Sequence, residues 1–117
     1  GMEGNAVRRE IQCLDAPIVL ETVELDEGML VCLTGGCRSH IGAVSTAEPE
    51  GTVRTQEFPG HRDQAISAPW AQRLASALGQ RVTVVCGIHY DSATPEQIRE
   101  ILQQTDALLG ELLETLK

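Results

Sequence analysis

The chain has 117 residues, enough for one domain, and its net charge of −8 reflects seventeen acidic against nine basic residues. That charge disfavours nucleic acid as a partner, because a basic surface is what holds a polyphosphate chain. No stretch approaches the about 18 consecutive apolar residues of a membrane helix, and none resembles a signal peptide. We therefore expect a single cytoplasmic domain over residues 2–117 that makes no membrane contact.

The first half of the chain has the residue patterns of five β-strands. Apolar residues alternate with charged ones in the first segment, and the later segments are rich in β-branched residues between Gly and Pro turns. Short connections between them predict antiparallel pairing, and the continuous apolar run of the third segment predicts a central strand covered on both faces. The predicted strands are Val7–Cys13, Ile18–Leu25, Met29–Leu33, His40–Thr46 and Thr52–Phe58.

After Pro59 and Gly60 the period of the apolar residues changes from two to about 3.6. Ile66, Trp70, Leu74 and Leu78 are four apart and predict a helix over about Arg62–Leu78. Pro69 either kinks this helix or lies in its first turn with Ser67 as the cap. A sixth strand is predicted over Arg81–His89, where apolar residues alternate.

The final helix is predicted to begin at Thr94, because Thr94-Pro95-Glu96-Gln97 has a cap, a proline at the first position and a Gln three residues after the cap. Its leucines continue to the C-terminus and exceed what covering a small sheet requires, so we predict a homo-oligomer. The predicted fold class is α+β, with a mostly antiparallel sheet of about six strands packed against two C-terminal helices.

Candidate functional residues cluster at junctions between these elements. All three histidines lie there, each near a glycine or an arginine, and glycines permit close approach of a ligand. If the loops meet, backbone donors and arginines could hold a phosphate or carboxylate in an otherwise acidic chain. The predicted ligand-binding residues are Gly35, Gly36, Arg38, His40, His61, Arg62, His89 and Asp91.

Other interpretations of the same residues stay open. Loop histidines often bond to backbone carbonyls, arginines are often solvated, and Gly-Gly is often a tight turn. A small enzyme could use a Cys37 thiolate near His40, or a metal bound by the histidines and Asp91. The other cysteines, Cys13, Cys32 and Cys86, lie in strand patterns and predict free, inert thiols. A purely structural subunit that pairs through its C-terminal leucines is the third possibility.

Four segments carry a resemblance to a known family: Leu33-Thr34-Gly35-Gly36, His40-Ile41-Gly42-Ala43-Val44, Pro59-Gly60-His61-Arg62 and Gly87-Ile88-His89-Tyr90-Asp91 with Ala93-Thr94. Together, from about Gly28 to Ile101, they resemble the small D-subunit family of gallate decarboxylase, described as LpdD-like prenylated flavin chaperones. The segment Cys37-Arg38-Ser39 has no counterpart that we can assign in the family, which leaves the ligand's identity open.

The resemblance implies a non-catalytic accessory protein that works beside a UbiD-type decarboxylase, whose cofactor is a prenylated flavin mononucleotide with one phosphate. It implies no metal. It would place His40, His61 and His89 near the flavin phosphate or a partner surface, with Gly35 and Gly36 admitting the ligand. The order of elements also resembles small proteasome-assembly chaperones, a likeness of architecture alone.

Overall fold

The computed structural model describes residues 6–60 and 62–116. Six strands and two helices follow in the predicted order, and their bounds lie within a few residues of those predicted. They are β1 (Ala6–Ile11), β2 (Ile18–Glu24), β3 (Met29–Gly36), β4 (Ala43–Ala47), β5 (Val53–Glu57), α1 (Gln64–Leu78), β6 (Val82–His89) and α2 (Pro95–Thr115).

The six strands form one mixed sheet in the order β1-β2-β3-β6-β4-β5. Neighbouring strands pair antiparallel except β3 and β6, which are parallel and lie at the centre. The chain reaches β6 only after β5 and α1, so the last strand is inserted between β3 and β4. The α+β class with a mostly antiparallel sheet is confirmed, and the parallel pair brings the carboxyl ends of β3 and β6 to the same edge.

Both helices cover the same face of the sheet. In β3, buried residues alternate with accessible ones: Met29, Val31 and Leu33 face the core, whereas Leu30 is 42% exposed and Cys32 is half-buried. The prediction that β3 is covered on both faces is therefore wrong. Its apolar run marks a strand whose second face carries apolar residues without a helix above them.

The helix α1 presents the predicted stripe to β4, β5 and β6, with Ile66, Trp70 and Leu74 buried. It begins at Gln64 with Asp63 in the N-cap position, and Pro69 lies inside it. Ser67 is not a cap, because it is buried within the helix and its hydroxyl lies 2.7 Å from that of Ser45. The helix ends at Gly79, whose positive φ of 66° is the left-handed conformation typical of a helix C-terminus.

The helix α2 begins with the predicted capping box. The Thr94 side chain accepts the N–H of Gln97, and the Gln97 side chain accepts the N–H of Thr94. Leu108, Leu109 and Leu112 are buried in the core. Most of the C-terminal leucines are thus used within the chain, because Leu113 and Leu116 also pack against this core. The oligomer contact predicted from the surplus apolar residues of α2 stays a prediction.

Two boundaries differ from the prediction in a way that affects the site. Gly35 and Gly36 continue β3 instead of forming a loop, in register with Ile88 and His89 of β6. The segment before Ala43, including His40, is not in β4 but crosses the edge of the sheet toward α1. No helix in the described part of the chain is long and apolar enough to cross a membrane.

Candidate functional site

The carboxyl ends of β3 and β6 bring two of the predicted site histidines together. His40 lies in the loop after β3 and His89 ends β6, and their ring centroids are 6.5 Å apart in an edge-to-face arrangement. His61 lies outside the described residues. Two junctions that are distant in sequence thus meet at one edge of the sheet. This meeting was the condition for a common site.

Asp63 is the centre of this arrangement, although no sequence pattern had indicated it. Its carboxylate is 6% exposed, lies 3.2 Å through Oδ2 from His40 Nε2, and accepts the backbone N–H of Ile88 through Oδ1 at 3.0 Å. The Cys86 thiol lies 3.8 Å from the same Oδ1 atom. Burial raises the pKa of Cys86, and the nearby Asp63 charge raises it further. Asp63 therefore joins the loop after β3, the start of α1 and the end of β6.

Asp63 lies in the first turn of the helix predicted over about Arg62–Leu78, where an acidic residue is favoured by the helix dipole and does not by itself indicate a site. Its side chain makes no capping hydrogen bond, because both carboxylate oxygens are used across the sheet edge. The His40 ring is held at its other nitrogen too, since Nδ1 lies 3.3 Å from the Arg38 carbonyl oxygen. Both ring nitrogens are thus engaged within the protein, which orients the ring.

The glycines of the site admit the chain itself rather than a ligand. A Cβ at Gly87 would overlap the His40 carbonyl, and one at Gly36 would overlap the carbonyl of His89. The Gly36 N–H donates to Pro17 O at 2.9 Å, so this backbone donor is already engaged. Gly35 is buried in the same strand, packed against Pro17. We assign Gly35 and Gly36 to the scaffold that positions His89.

The remaining predicted residues lie at the solvent side of the site. His89 Nε2 is 2.9 Å from Asp91 Oδ1, and both side chains are partly exposed. Arg38 is exposed in the loop after β3 and contributes its carbonyl to His40. Arg62 is exposed at the start of α1 and borders a cavity. These charged side chains therefore lie at the solvent-facing rim of the site, and other residues form its interior.

A cavity of about 440 Å³ opens beside His89, between the N-terminal ends of α1 and α2 and the end of β6. Its size lies within the range of about 300–1,000 Å³ that is typical of small-molecule sites. Most of its wall is aliphatic, Arg62 and His89 lie at its polar rim, and the buried Asp63 lies beneath them. The aliphatic side chains of this wall are Ala65, Ile66, Ile88, Ala93, Ile98, Ile101 and Leu102.

Ile66 was predicted as part of a helix stripe and Ile88 as part of the sixth strand, and neither was predicted to line a ligand site. Ile98 and Leu102 are the informative ones, because they are 45% and 41% exposed although they lie on the apolar side of α2. A helix that leaves two large aliphatic side chains open at a concave surface resembles the wall of a ligand site. The arrangement suits an amphiphilic molecule with an apolar body and an anionic end.

Tyr90 fixes the other side of the site. Its hydroxyl lies 2.6 Å from Ala16 O and 3.0 Å from Cys13 O, which ties the end of β6 to the turn between β1 and β2. Burial, together with the surrounding hydrogen bonds and negative groups, raises the pKa of Tyr90. The wall behind His89 is therefore held by a neutral, fully engaged phenol.

The structure also bears on the two alternatives, a metal site and a reactive thiol. Within residues 6–60 and 62–116, no group of three His, Cys, Asp or Glu side chains could hold a metal ion. Cys37 is exposed, Cys32 is half-buried, and Cys13 and Cys86 are buried, and all four thiols are free. Burial raises the pKa of Cys13 and of Cys32, as expected of inert thiols.

Comparison with known proteins gives the same family as the motifs. The model of the prenylated flavin chaperone LpdD-like domain matches residues 12–117. Protein LpdD of Lactiplantibacillus plantarum is 31% identical over 104 residues, which cover 85% of this chain and 75% of that protein. A chain from the crystal structure of a novel chaperone complex for yeast 20S proteasome assembly superposes with a TM-score of 0.60 and 15% identity, over 94% of each chain. At that identity the last likeness concerns the fold alone.

Proposed function

The chain belongs to the family of LpdD-like prenylated flavin chaperones, and from this premise we propose that it is a non-catalytic accessory protein that binds prenylated flavin mononucleotide in the cavity beside His89. It would hold the cofactor for a UbiD-type decarboxylase. The observation that carries this proposal is the aliphatic cavity whose polar rim includes Arg62 and His89. We expect the protein to act in the cytoplasm and as a homo-oligomer.

The two ends of the cavity suit the two ends of the ligand. The prenylated ring system is largely apolar, and Ile66, Ile98 and Leu102 supply an apolar wall. The phosphate is anionic, and Arg62 with His89 offers donors to it at the rim. His40 and Asp63 take the role of positioning His89 and the end of β6, because they are engaged with each other beneath the rim.

Equilibrium titration of the purified protein with prenylated flavin mononucleotide, followed by flavin fluorescence, tests this proposal. Ile98→Gln removes an exposed aliphatic side chain from the wall, and we expect it to weaken binding about tenfold, the effect of losing about 1.5 kcal/mol of apolar burial. Leu25→Gln is the matched control, since Leu25 is 47% exposed outside the cavity. Its affinity should equal that of the wild type.

Unprenylated flavin mononucleotide and riboflavin separate the contributions of the two ends. We expect the prenylated form to bind most tightly and riboflavin, which has no phosphate, to bind most weakly. Arg62→Ala and the triple substitution of His40, His61 and His89 by Ala should reduce the difference between the two unprenylated ligands. If neither flavin mononucleotide nor its prenylated form binds, and no UbiD-type decarboxylase is retained by the protein, the proposal is wrong.

A further inference from the structure

The cavity beside His89 continues into the groove between α1 and α2. A second depression of about 270 Å³ lies in this groove, and it shares Ala65, Ile66 and Leu102 with the cavity. We call it the distal pocket and define it by the residues that line it and do not line the cavity. They are Pro69, Trp70, Thr105, Asp106 and Leu109.

The distal pocket has a buried floor and exposed walls. Trp70, Thr105 and Leu109 are buried at the floor, whereas Pro69 and Leu102 are exposed at the walls. The Thr105 hydroxyl donates at 3.0 Å to the backbone carbonyl four residues earlier in α2, so it needs no partner from a ligand. The Pro69 ring is a rigid wall, because it has no rotamers that a ligand would immobilise.

An ion pair between the two helices crosses the groove at the far end of the distal pocket. Arg73 Nη1 of α1 donates to Asp106 Oδ1 of α2 at 3.0 Å. Asp106 lies four residues beyond Leu102, which corresponds to about 6 Å along the helix axis. The distal pocket therefore has the length for a short, branched apolar group and not for a long chain.

We propose that the distal pocket binds the prenyl-derived carbons of the flavin, and that this contact makes the protein prefer prenylated flavin mononucleotide to the unprenylated form. The inference rests on the proposed function, in which the phosphate lies at the rim near Arg62. Trp70 is eight residues beyond Arg62, about 12 Å along the helix axis. A ligand held at the rim by its phosphate can therefore extend its apolar end along the groove to the distal pocket.

The chemistry of the distal pocket suits the prenyl-derived carbons better than the polar parts of the ligand. The ribityl chain has hydroxyl groups, and the pyrimidine edge of the flavin has carbonyl and N–H groups, so each would lose hydrogen bonds to water in an apolar pocket. The prenyl-derived carbons lose none. Burying a hydrocarbon group the size of a leucine side chain against Leu102, Trp70 and Leu109 strengthens binding roughly tenfold to a hundredfold.

Asp106→Phe fills the distal pocket and tests this inference. A side chain on an α-helix leans toward the N-terminus of the helix, so the introduced ring lies over the turn that carries Leu102. Asp106 does not line the cavity beside His89, and its side chain is 73% exposed, so the variant leaves the core intact. Asp106→Ala is the matched control, because it breaks the same ion pair and does not fill the pocket.

Isothermal titration calorimetry with the two flavin mononucleotides measures the preference of each protein. We expect the wild type and Asp106→Ala to bind the prenylated form at least about tenfold more tightly than the unprenylated form. In Asp106→Phe, the affinity for the unprenylated form should stay within about twofold of the wild type. The preference for the prenylated form should fall below about threefold, because the prenyl-derived carbons lose their pocket.

A second measurement uses the wild-type protein and does not depend on any variant. Trp70 is the single tryptophan of the chain, so the signals of its indole protons are assigned without ambiguity. We expect nuclear Overhauser effects from the methyl protons of the prenyl-derived carbons to the Trp70 indole and to the Leu102 methyl groups.

Three results would overturn the inference and leave the flavin proposal standing. The first is an undiminished preference in Asp106→Phe. The second is an equal loss of affinity for both flavins in that variant, which would place the dimethylbenzene edge of the ring system in the distal pocket. The third is a set of nuclear Overhauser effects confined to Ile88 and Ala93, on the other wall of the cavity. If the wild type binds neither flavin, the flavin proposal itself fails, and this inference fails with it.

Discussion

Replacing Asp63 by Ala removes the side chain that joins the loop after β3, the start of α1 and the end of β6. The Ile88 N–H loses its acceptor, which costs about 1–3 kcal/mol for a group shielded from water, and His40 loses a charge-assisted hydrogen bond worth about 1.5–3 kcal/mol. Both side chains of the His40 pair are well shielded, at 14% and 6% exposed. We expect the free energy of unfolding to fall by about 3–5 kcal/mol.

Asp63→Asn separates the two contributions. It keeps an oxygen that accepts the Ile88 N–H and loses the charge that faces His40, so we expect the smaller loss of about 1.5–3 kcal/mol. Asp106→Ala is the control, because Asp106 pairs with Arg73 at the surface, where the two side chains are 73% and 50% exposed. Removing that exposed pair should change stability by less than about 1 kcal/mol.

Urea unfolding followed by tryptophan fluorescence measures these differences, because the chain has a single tryptophan, Trp70, which is 2% exposed in the core. A loss below about 1 kcal/mol for Asp63→Ala, no larger than that of Asp106→Ala, would refute the reasoning that Asp63 organises the site.

Three further predictions concern the same edge of the sheet. Gly87→Ala should destabilise the protein by about 1–3 kcal/mol in thermal unfolding, because the added Cβ overlaps the His40 carbonyl. Gly110→Ala is the control, and it should stabilise the protein by about 0.5–1 kcal/mol because Gly110 lies inside α2 with open space around its Cβ position. Tyr90→Phe should cost about 1–3 kcal/mol in urea unfolding, since two backbone carbonyls lose its hydroxyl, and a neutral result would contradict this role. Cys86 and Tyr90 have raised pKa values in the folded state, so above about pH 9 the unfolded chain loses protons that the folded chain keeps. The free energy of unfolding should then fall by up to about 1.4 kcal/mol per pH unit for each group, and Cys86→Ala should make this fall shallower in urea titrations between about pH 8 and 10.5.

The elements of this fold were predictable because their signals are local. The stripe of Ile66, Trp70 and Leu74 and the capping box at Thr94 each lie within one turn or one helix, and the structure confirms both. The order of strands was not predictable in this way. The pairing of β3 with β6 joins Met29 to Val82, and nothing near either residue specifies the other.

The site was predictable in part for the same reason. His40 and His89 stood out because each lies at a junction next to a glycine, and they do meet. Asp63 was missed because an Asp in the first turn of a predicted helix is ordinary, and its use by Ile88 depends on the tertiary fold. The cavity was missed because its wall combines residues of α1 and α2, which are distant in sequence. On α2, periodicity alone does not distinguish the exposed Ile98 from a core residue.

The apolar run of β3 shows how a correct signal was given the wrong cause. The run predicted a central strand covered on both faces, yet Leu30 and Cys32 lie on the sheet face opposite the helices, where Leu30 is 42% exposed and Cys32 is half-buried. An apolar run identifies a strand but does not distinguish one buried on both faces from one whose second face stays accessible.

Hydrogen–deuterium exchange of the protein with and without saturating prenylated flavin mononucleotide tests the central claim most directly. The account predicts slower exchange over residues 62–66 and 88–102, which line the cavity, and unchanged exchange in β1 and β5. Protection confined to other segments, or no protection by a ligand shown to be bound, would contradict the assignment of this cavity to the flavin.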